Sequence, residues 1–276
     1  MKEKEETTGL EKAVMGWLTT KGYPLEMLTS KAFLGRQIGV RHGWYYDDPE
    51  TGKPRELDLL TSNYVVRENI LLFQFIVECK RSLDPFVAFT YGELLAKSMN
   101  EAWVPSNPLG RALLERLTRL QIDSRLPIYG PTSPIAYSMT QAHVTKLEQG
   151  TKRTDKAFEA LMGVTKGSYS LSKLFSEKVT RVSGSNDPGD LRPVAFVGYP
   201  LIVTDAPMFS CSLGEDNEPT LKRIGEIVVE WSFPPVGTLM ITVISISKLD
   251  SLISRYLQSF AVLDFEADTI LRALTP

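Results

Sequence analysis

The chain has 276 residues, of which 43% are hydrophobic and 23% are charged, and this composition excludes a disordered or low-complexity protein. The formal net charge is −2, from 31 Lys and Arg against 33 Asp and Glu. This balance excludes an overall basic field that would draw the chain to nucleic acid nonspecifically, although a basic groove can coexist with acid elsewhere. The two cysteines, Cys79 and Cys211, are too few for a disulfide framework or a zinc ligand set.

The N-terminal segment is charged and has no apolar core, which argues against a signal peptide. The longest apolar stretch, residues 236–246, is about half of the roughly 20 residues that a membrane helix needs. We therefore expect a cytoplasmic protein that does not associate with membranes.

The first third of the sequence predicts one helix and three strands. In the helix, Thr8 is a plausible N-cap, and Glu11 follows three positions later as in a capping box. The last of the strands is a continuous apolar run, typical of a central strand covered on both faces. In chain order the predicted elements are a helix over 8–22, a strand over 33–46, a strand over 55–64 and the central strand over 71–78.

The rest of the sequence predicts two helical regions, three strands and a helical end. These are helices within 91–126 and 133–161, strands over 193–205, 223–233 and 238–246, and helices over 248–260 and 266–274. This order predicts a single α/β domain over 1–276, a mixed central sheet flanked by helices. Its core would span 8–90 and about 193–260, with a helical insertion at about 91–182.

Asp58 and the sequence Glu78-Cys79-Lys80 carry the main chemical signal. Because side chains alternate along a strand, Glu78 and Lys80 share one side while Cys79 faces the other. If the two strands are neighbours, Asp58 lies beside Glu78. Two close carboxylates repel each other unless a cation neutralises them, and Mg²⁺ needs only one or two protein carboxylates. We therefore expect a magnesium site on Asp58 and Glu78, with the backbone carbonyl of Cys79 as a third ligand and Lys80 beside the attacking water.

The order of a helix with a glutamate, then RELDLL, then FIVECK resembles the PD-(D/E)xK nuclease superfamily. Asp58 matches the first motif, and Glu78 and Lys80 match the second, whereas Leu57 replaces the family's proline. The resemblance covers about residues 8–90 and follows the later strands only in general order. It implies a restriction-endonuclease-like fold and a Mg²⁺-dependent nuclease acting on DNA in restriction, defence or repair, with Mn²⁺ able to substitute. It also implies that Glu11 is an auxiliary catalytic acid.

Other interpretations of the same residues stay open. Glu78 and Lys80 could form an ordinary salt bridge at the end of a strand, and Glu11 could simply cap its helix. The chain could also be a catalytically inactive nuclease-fold module that binds nucleic acid or a protein partner. The sequence does not decide between a homodimer, a partner subunit and an enzyme that acts alone.

Candidates for contact with nucleic acid lie outside these motifs. The predicted phosphate contacts are Ser82, Lys146, Lys152 and Arg153, although charge runs are more often solvated faces. The aromatic residues Trp44, Tyr45 and Tyr46 could stack on bases, although an aromatic strand in a core is the commoner arrangement.

Overall fold

A computed structural model describes the protein at residues 8–20, 22–66, 70–90, 104–123, 126, 128, 135–144, 154–176, 180–181, 191–192, 194–235 and 237–272. Among these residues, no helix is both long enough and apolar enough to cross a membrane.

Helices begin and end the described part of the chain, and the longest helix lies between two groups of strands. The helices are α1 (Gly9–Thr20), α2 (Tyr23–Leu34), α3 (Pro108–Arg119), α4 (Lys156–Ser176), α5 (Leu249–Phe265) and α6 (Ala267–Arg272). The strands are β1 (Gly39–Asp47), β2 (Pro54–Val66), β3 (Ile70–Lys80), β4 (Phe86–Thr90), β5 (Ile135–Gln141), β6 (Thr180–Arg181), β7 (Leu191–Arg192), β8 (Val194–Thr204), β9 (Met208–Leu213), β10 (Pro219–Ile224), β11 (Glu226–Phe233) and β12 (Gly237–Ser245).

The strands form a 10-stranded mixed sheet in the order β1-β2-β3-β8-β12-β11-β5-β4-β9-β10, and β6 pairs with β7 separately. β3 runs parallel to β8, from Ile70 opposite Val194 to Lys80 opposite Thr204. β1 and β2, and β2 and β3, are antiparallel. The predicted α/β class with a mixed sheet flanked by helices is therefore confirmed.

Helices cover both faces of the central strands. One apolar cluster, which includes Phe33, Phe75 and Leu252, packs α2, α3 and α5 on one face. A second cluster, which includes Leu161 and Phe196, packs α4 on the opposite face. β3 is consequently buried at nearly every position, as its apolar sequence predicts.

The predicted helical insertion at about 91–182 does contain α3 and α4, but it also contains strands. Within this segment β5 pairs with β4 and β11 as part of the main sheet. The predicted helix over 133–161 therefore gives way to a strand at its start. Helix formers such as Ala136, Met139 and Gln141 favour a helix locally, but both neighbouring strands offer hydrogen bonds to β5.

α4 is tied to the turn between β1 and β2 by a buried ion pair. Lys166 Nζ lies 3.0 Å from Asp48 Oδ2 and 2.6 Å from Glu50 Oε2, and Arg55 Nε lies 2.6 Å from Asp48 Oδ2. Burial alone would raise the pKa of Asp48. The hydrogen bonds from Lys166 and from the amides of Glu50 and Thr51 outweigh burial, and they lower this pKa to about 2.

Candidate active site

Asp58 lies where the pairing of β2 with its neighbours is interrupted. The register between β2 and β3 reaches Leu59 opposite Val77 and stops before Asp58. Asp58 is also missing from the residue pairs between β1 and β2, where it would lie opposite Gly43. The backbone of Gly43 has φ +58°. In place of a backbone carbonyl, the Asp58 carboxylate accepts a hydrogen bond from Cys79 N at 2.6 Å. The side chain of Asp58 thus bridges the two strands at the end of β3.

Glu78 and Lys80 are on one side of β3, as predicted from the alternation of the strand. Lys80 Nζ lies 3.4 Å from Glu78 Oε2, and the side chain of Glu78 is 6% exposed while that of Lys80 is 26% exposed. Electrostatic interactions join both residues to Asp58. The structure therefore brings the three predicted residues together, with Lys80 more exposed than Glu78.

Cys79 faces the opposite apolar cluster, also as predicted. Its thiol lies 3.7 Å from Thr29 Oγ1 on α2, and burial raises the pKa of the thiol well above its ordinary value. A buried, protonated thiol is a poor nucleophile. Because the N–H and C=O of one strand residue point the same way, the Cys79 carbonyl is directed to the side where its N–H meets Asp58.

A further acid, Glu26, joins this group from α2 and was missed by the sequence analysis. Burial, together with the negative charges of Asp58 and Glu56, raises the pKa of Glu26 to about 7, while the charge of Lys80 opposes this rise. α2 itself was not predicted, because two of its buried positions, Thr29 and Ser30, are polar and break the apolar stripe. The available signals were a proline in the first turn and the spacing of Leu25 and Phe33.

Glu11 has the contacts of a helix cap. Its amide donates to Thr8 Oγ1 at 3.3 Å, and its carboxylate accepts from the amide of Thr8. Both residues are exposed at the start of α1. The predicted capping box is therefore confirmed, and Glu26 replaces Glu11 as the acid that interacts with Asp58.

The acids in this group carry more negative charge than Lys80 can balance. Burial and the charge of Asp58 together raise the pKa of Glu78 to about 8, against the opposing effect of Lys80. Burial also raises the pKa of Asp58, against the hydrogen bond from Cys79. Burial would lower the pKa of Lys80, but Glu78 and Asp58 outweigh it and raise that pKa. A nearby cation would oppose the rise in the pKa of both carboxylates.

These donors fit a hard divalent cation with few protein ligands. Among the described residues, no group of three or more His, Cys, Asp or Glu side chains could hold a metal ion. Magnesium takes oxygen ligands and keeps several waters, so that one or two carboxylates suffice. The available ligands are all oxygen atoms, from Asp58, Glu78 and the Cys79 carbonyl. The excess negative charge around them favours a cation.

Helix α4 shapes the wall behind Glu78. A Cβ atom on Gly163 would lie 2.8 Å from Glu78 Oε1 and 2.9 Å from its Cδ, so the carboxylate occupies space that only glycine leaves open. Tyr46 donates a hydrogen bond to the Gly163 carbonyl at 3.3 Å. Gly163 thus allows α4 to approach β3 closely enough to hold Glu78.

The end of β3 beyond Lys80 is fixed by hydrogen bonds and ion pairs. Thr204 Oγ1 donates to the Lys80 carbonyl at 2.6 Å, and Arg81 Nε lies 3.2 Å from Asp205 Oδ2. Lys156 Nζ, in the first turn of α4, donates to the Arg81 carbonyl at 2.8 Å. The position of Lys80 is therefore held by β8 and α4 together.

Ser82 belongs to this supporting structure. Its hydroxyl is buried, donates to the Asp84 carbonyl at 2.8 Å and accepts from Gln141 Nε2 at 2.8 Å. We therefore assign Ser82 a structural role in place of the predicted phosphate contact. The other predicted contacts, Lys146, Lys152 and Arg153, lie outside the described residues.

No protein-family model, curated protein or solved structure matches the chain.

Proposed function

We propose that the protein is a metal-dependent nuclease of the restriction-endonuclease-like fold that hydrolyses phosphodiester bonds in DNA. The observation that carries this proposal is the meeting of Asp58, Glu78 and Lys80 where β2 and β3 separate. Two carboxylates and a lysine on neighbouring strands supply what this hydrolysis needs, namely oxygen ligands for Mg²⁺ and a fixed positive charge.

Asp58, Glu78 and the carbonyl of Cys79 would hold Mg²⁺ or Mn²⁺. The bound metal supplies charge neutralisation at the phosphate and a lower pKa for water. The amide of Cys79 keeps the Asp58 carboxylate in place, and Gly163 gives room to the Glu78 carboxylate.

Lys80 and Glu26 have complementary roles. Lys80 is charged because its pKa is raised by Glu78 and Asp58 against the effect of burial, and it offsets the negative charge that develops on the phosphate. Glu26, with its pKa raised to about 7 by burial and by Asp58, can accept a proton from water near neutral pH. Glu26 is therefore the auxiliary acid of the proposed site.

The proposal is tested by incubating the protein with plasmid and with linear single- and double-stranded DNA, with Mg²⁺, Mn²⁺ or EDTA. We expect cleavage that depends on the metal and falls at least about 100-fold in Lys80→Ala, as for the loss of a charge-stabilising group. Lys222→Ala is the matched control, because Lys222 is exposed on β10 at the far edge of the sheet. Cleavage that continues unchanged in EDTA or in Lys80→Ala would overturn the proposal.

The second candidate is a catalytically inactive module of the same fold that binds nucleic acid or a protein partner. The observation in its favour is that Glu78 is almost fully buried and already paired with Lys80. Calorimetric titration with Mn²⁺ separates the two candidates. The nuclease requires metal binding that is lost in Asp58→Asn, whereas the binding module requires none.

A further inference from the structure

An open groove lies beside the candidate site, between β1 and the second half of α4. It has a volume of about 480 Å³ and is lined mainly by aromatic and polar side chains. This volume lies within the range of about 300–1,000 Å³ for small-molecule ligand sites. The lining includes the side chains of Trp44, Tyr45, Tyr46, Tyr169, Ser170 and Lys173.

The aromatic rings of the groove are held in fixed orientations. Trp44 and Tyr46 have nearly parallel rings, with an interplanar angle of 14° and centroids 6.3 Å apart. Tyr169, on α4, packs edge-on against Phe233. Trp44 and Tyr169 are both partly exposed, and the ammonium of Lys173 lies over one face of the Tyr169 ring. Stacking on such preordered rings is tolerant of base identity, because every nucleobase has a π-face.

Two tyrosines that line the groove also contact residues around the candidate site. Tyr46 donates to the carbonyl of Gly163, the residue against which Glu78 lies. Tyr45 donates to Glu56 Oε2 at 3.1 Å, and the charge of Glu56 contributes to the raised pKa values of Glu26 and Asp58. Tyr46 therefore takes part in both, since it lines the groove and its hydroxyl binds the helix residue that packs against Glu78.

The charges of the groove favour an unpaired nucleotide over a duplex. Lys173 is exposed, with its Nζ 4.7 Å from the centroid of the Tyr169 ring, whereas Asp47 places an exposed carboxylate in the same lining. Asp48, although it also lines the groove, is neutralised by Lys166 and Arg55. One cation and one carboxylate suit a stacked base with a single phosphate, but not the two rows of phosphates of a duplex.

We propose that this groove, formed by Trp44, Tyr46, Tyr169 and Lys173, binds an unpaired nucleotide of the substrate by stacking its base. The inference rests on the proposed function, since it makes single-stranded DNA, or a single-stranded flap or gap beside a duplex, the preferred substrate. Tyr169 supplies the ring surface, and Lys173 contacts the adjoining phosphate.

The test measures binding in EDTA, where metal-dependent cleavage stops, by fluorescence anisotropy. Three labelled ligands of equal length are compared: a single-stranded oligonucleotide, the same backbone with abasic residues, and a blunt duplex. We expect the wild-type protein to bind the base-bearing single strand most tightly. Tyr169→Leu should weaken this binding by roughly 5- to 150-fold, the range reported for loss of one stacking ring, and should leave the affinity for the abasic strand unchanged.

Two variants serve as controls, with melting temperatures measured for all. Tyr169→Phe keeps the ring and should bind as the wild type does. Tyr64→Leu removes an exposed tyrosine on β2 outside the groove and should also leave binding unchanged. Equal affinity for the base-bearing and abasic strands, or unchanged binding by Tyr169→Leu, would overturn the inference.

The results also separate this inference from the proposed function. If the protein cleaves no DNA but retains the base-dependent binding, the nuclease proposal fails and the groove assignment stands. If it cleaves DNA while Tyr169→Leu binds single strands as the wild type does, the groove assignment fails alone.

Discussion

Replacement of Gly163 by alanine tests the close approach of α4 to Glu78. The added Cβ would lie 2.8 Å from Glu78 Oε1, whereas ordinary contacts begin at 3.4 Å, so the carboxylate must retreat by about 0.6 Å. A misplacement of about 1 Å at a reacting centre can lower a rate about 100-fold. We therefore expect Gly163→Ala to lower the metal-dependent cleavage rate by roughly 10- to 100-fold.

The stability of Gly163→Ala should change little. The atom that yields is the tip of a flexible side chain, and alanine is favoured over glycine in a helix interior by up to about 1 kcal/mol. We expect a melting temperature within about 4 °C of the wild type, since 1 kcal/mol corresponds to about 2–4 °C in a domain of this size. The prediction is thus a loss of activity without a comparable loss of folding.

Gly167→Ala is the matched control, one helical turn further along α4. Its Cβ would lie 2.7 Å from both terminal carbons of Leu57, a core residue with no exposed surface. Overpacking of this kind costs about 1–3 kcal/mol, so this variant should lose more thermal stability and less activity. The assays are plasmid cleavage over a range of Mg²⁺ concentrations and thermal melting. Wild-type cleavage and wild-type metal dependence in Gly163→Ala would refute the argument that α4 positions Glu78.

Three further predictions concern the acids and the cysteines. Glu26→Gln should lower the cleavage rate by roughly 100- to 10,000-fold, since general-base contributions are of about this size, while Glu11→Gln keeps the capping box and should change neither cleavage nor stability appreciably. Asp48, with a pKa of about 2 when folded against 3.8 ordinarily, binds protons more readily in the unfolded chain. It should therefore contribute roughly 1–2 kcal/mol of stability above pH 4, after allowance for screening near the surface, and lose it between pH 4 and 2. Of the two cysteines, buried Cys79 should resist alkylation in the folded protein while the partly exposed Cys211 reacts.

Each of these has a direct measurement and a contrary result. Equal cleavage rates for the two glutamine variants would remove Glu26 from the site. For Asp48, denaturant unfolding from pH 6 to 2 should show a smaller loss of stability in Asp48→Asn, and parallel curves would show that this carboxylate contributes nothing. Mass spectrometry after alkylation should find one modified cysteine in the native protein and two after denaturation, so rapid modification of both would contradict the burial of Cys79.

The local sequence predicts the central part of the site well. The alternation of side chains along a strand places Glu78 and Lys80 on one side and Cys79 on the other, and the 3.4 Å ion pair and the burial of Cys79 confirm this arrangement. The hydrophobic run in β3 correctly predicts a strand covered on both faces. These features depend on neighbours along the chain, which the sequence displays directly.

Features that depend on contacts between distant elements are predicted less well. β5 contains residues that favour a helix, yet it becomes a strand because β4 and β11 lie on either side of it. α2 lacks a continuous apolar stripe because two of its buried residues are polar. Their partners, Thr29 with Cys79 and Ser30 with His42, are 50 and 12 residues away in sequence.

The sequence by itself thus determined the chemistry available to this protein: two carboxylates and a lysine on strands, with the period of the strand deciding which side chains face together. Only the tertiary structure decided which further acid lies with Asp58 and Glu78. Glu26 and Glu11 both lie near the start of a helix, and the difference between them is what their helices contact. The tertiary structure also placed Gly163 against Glu78 and opened the aromatic groove beside β1. The physical reason is that propensity and periodicity act within one element, whereas burial, charge coupling and close approach arise between elements far apart in the chain.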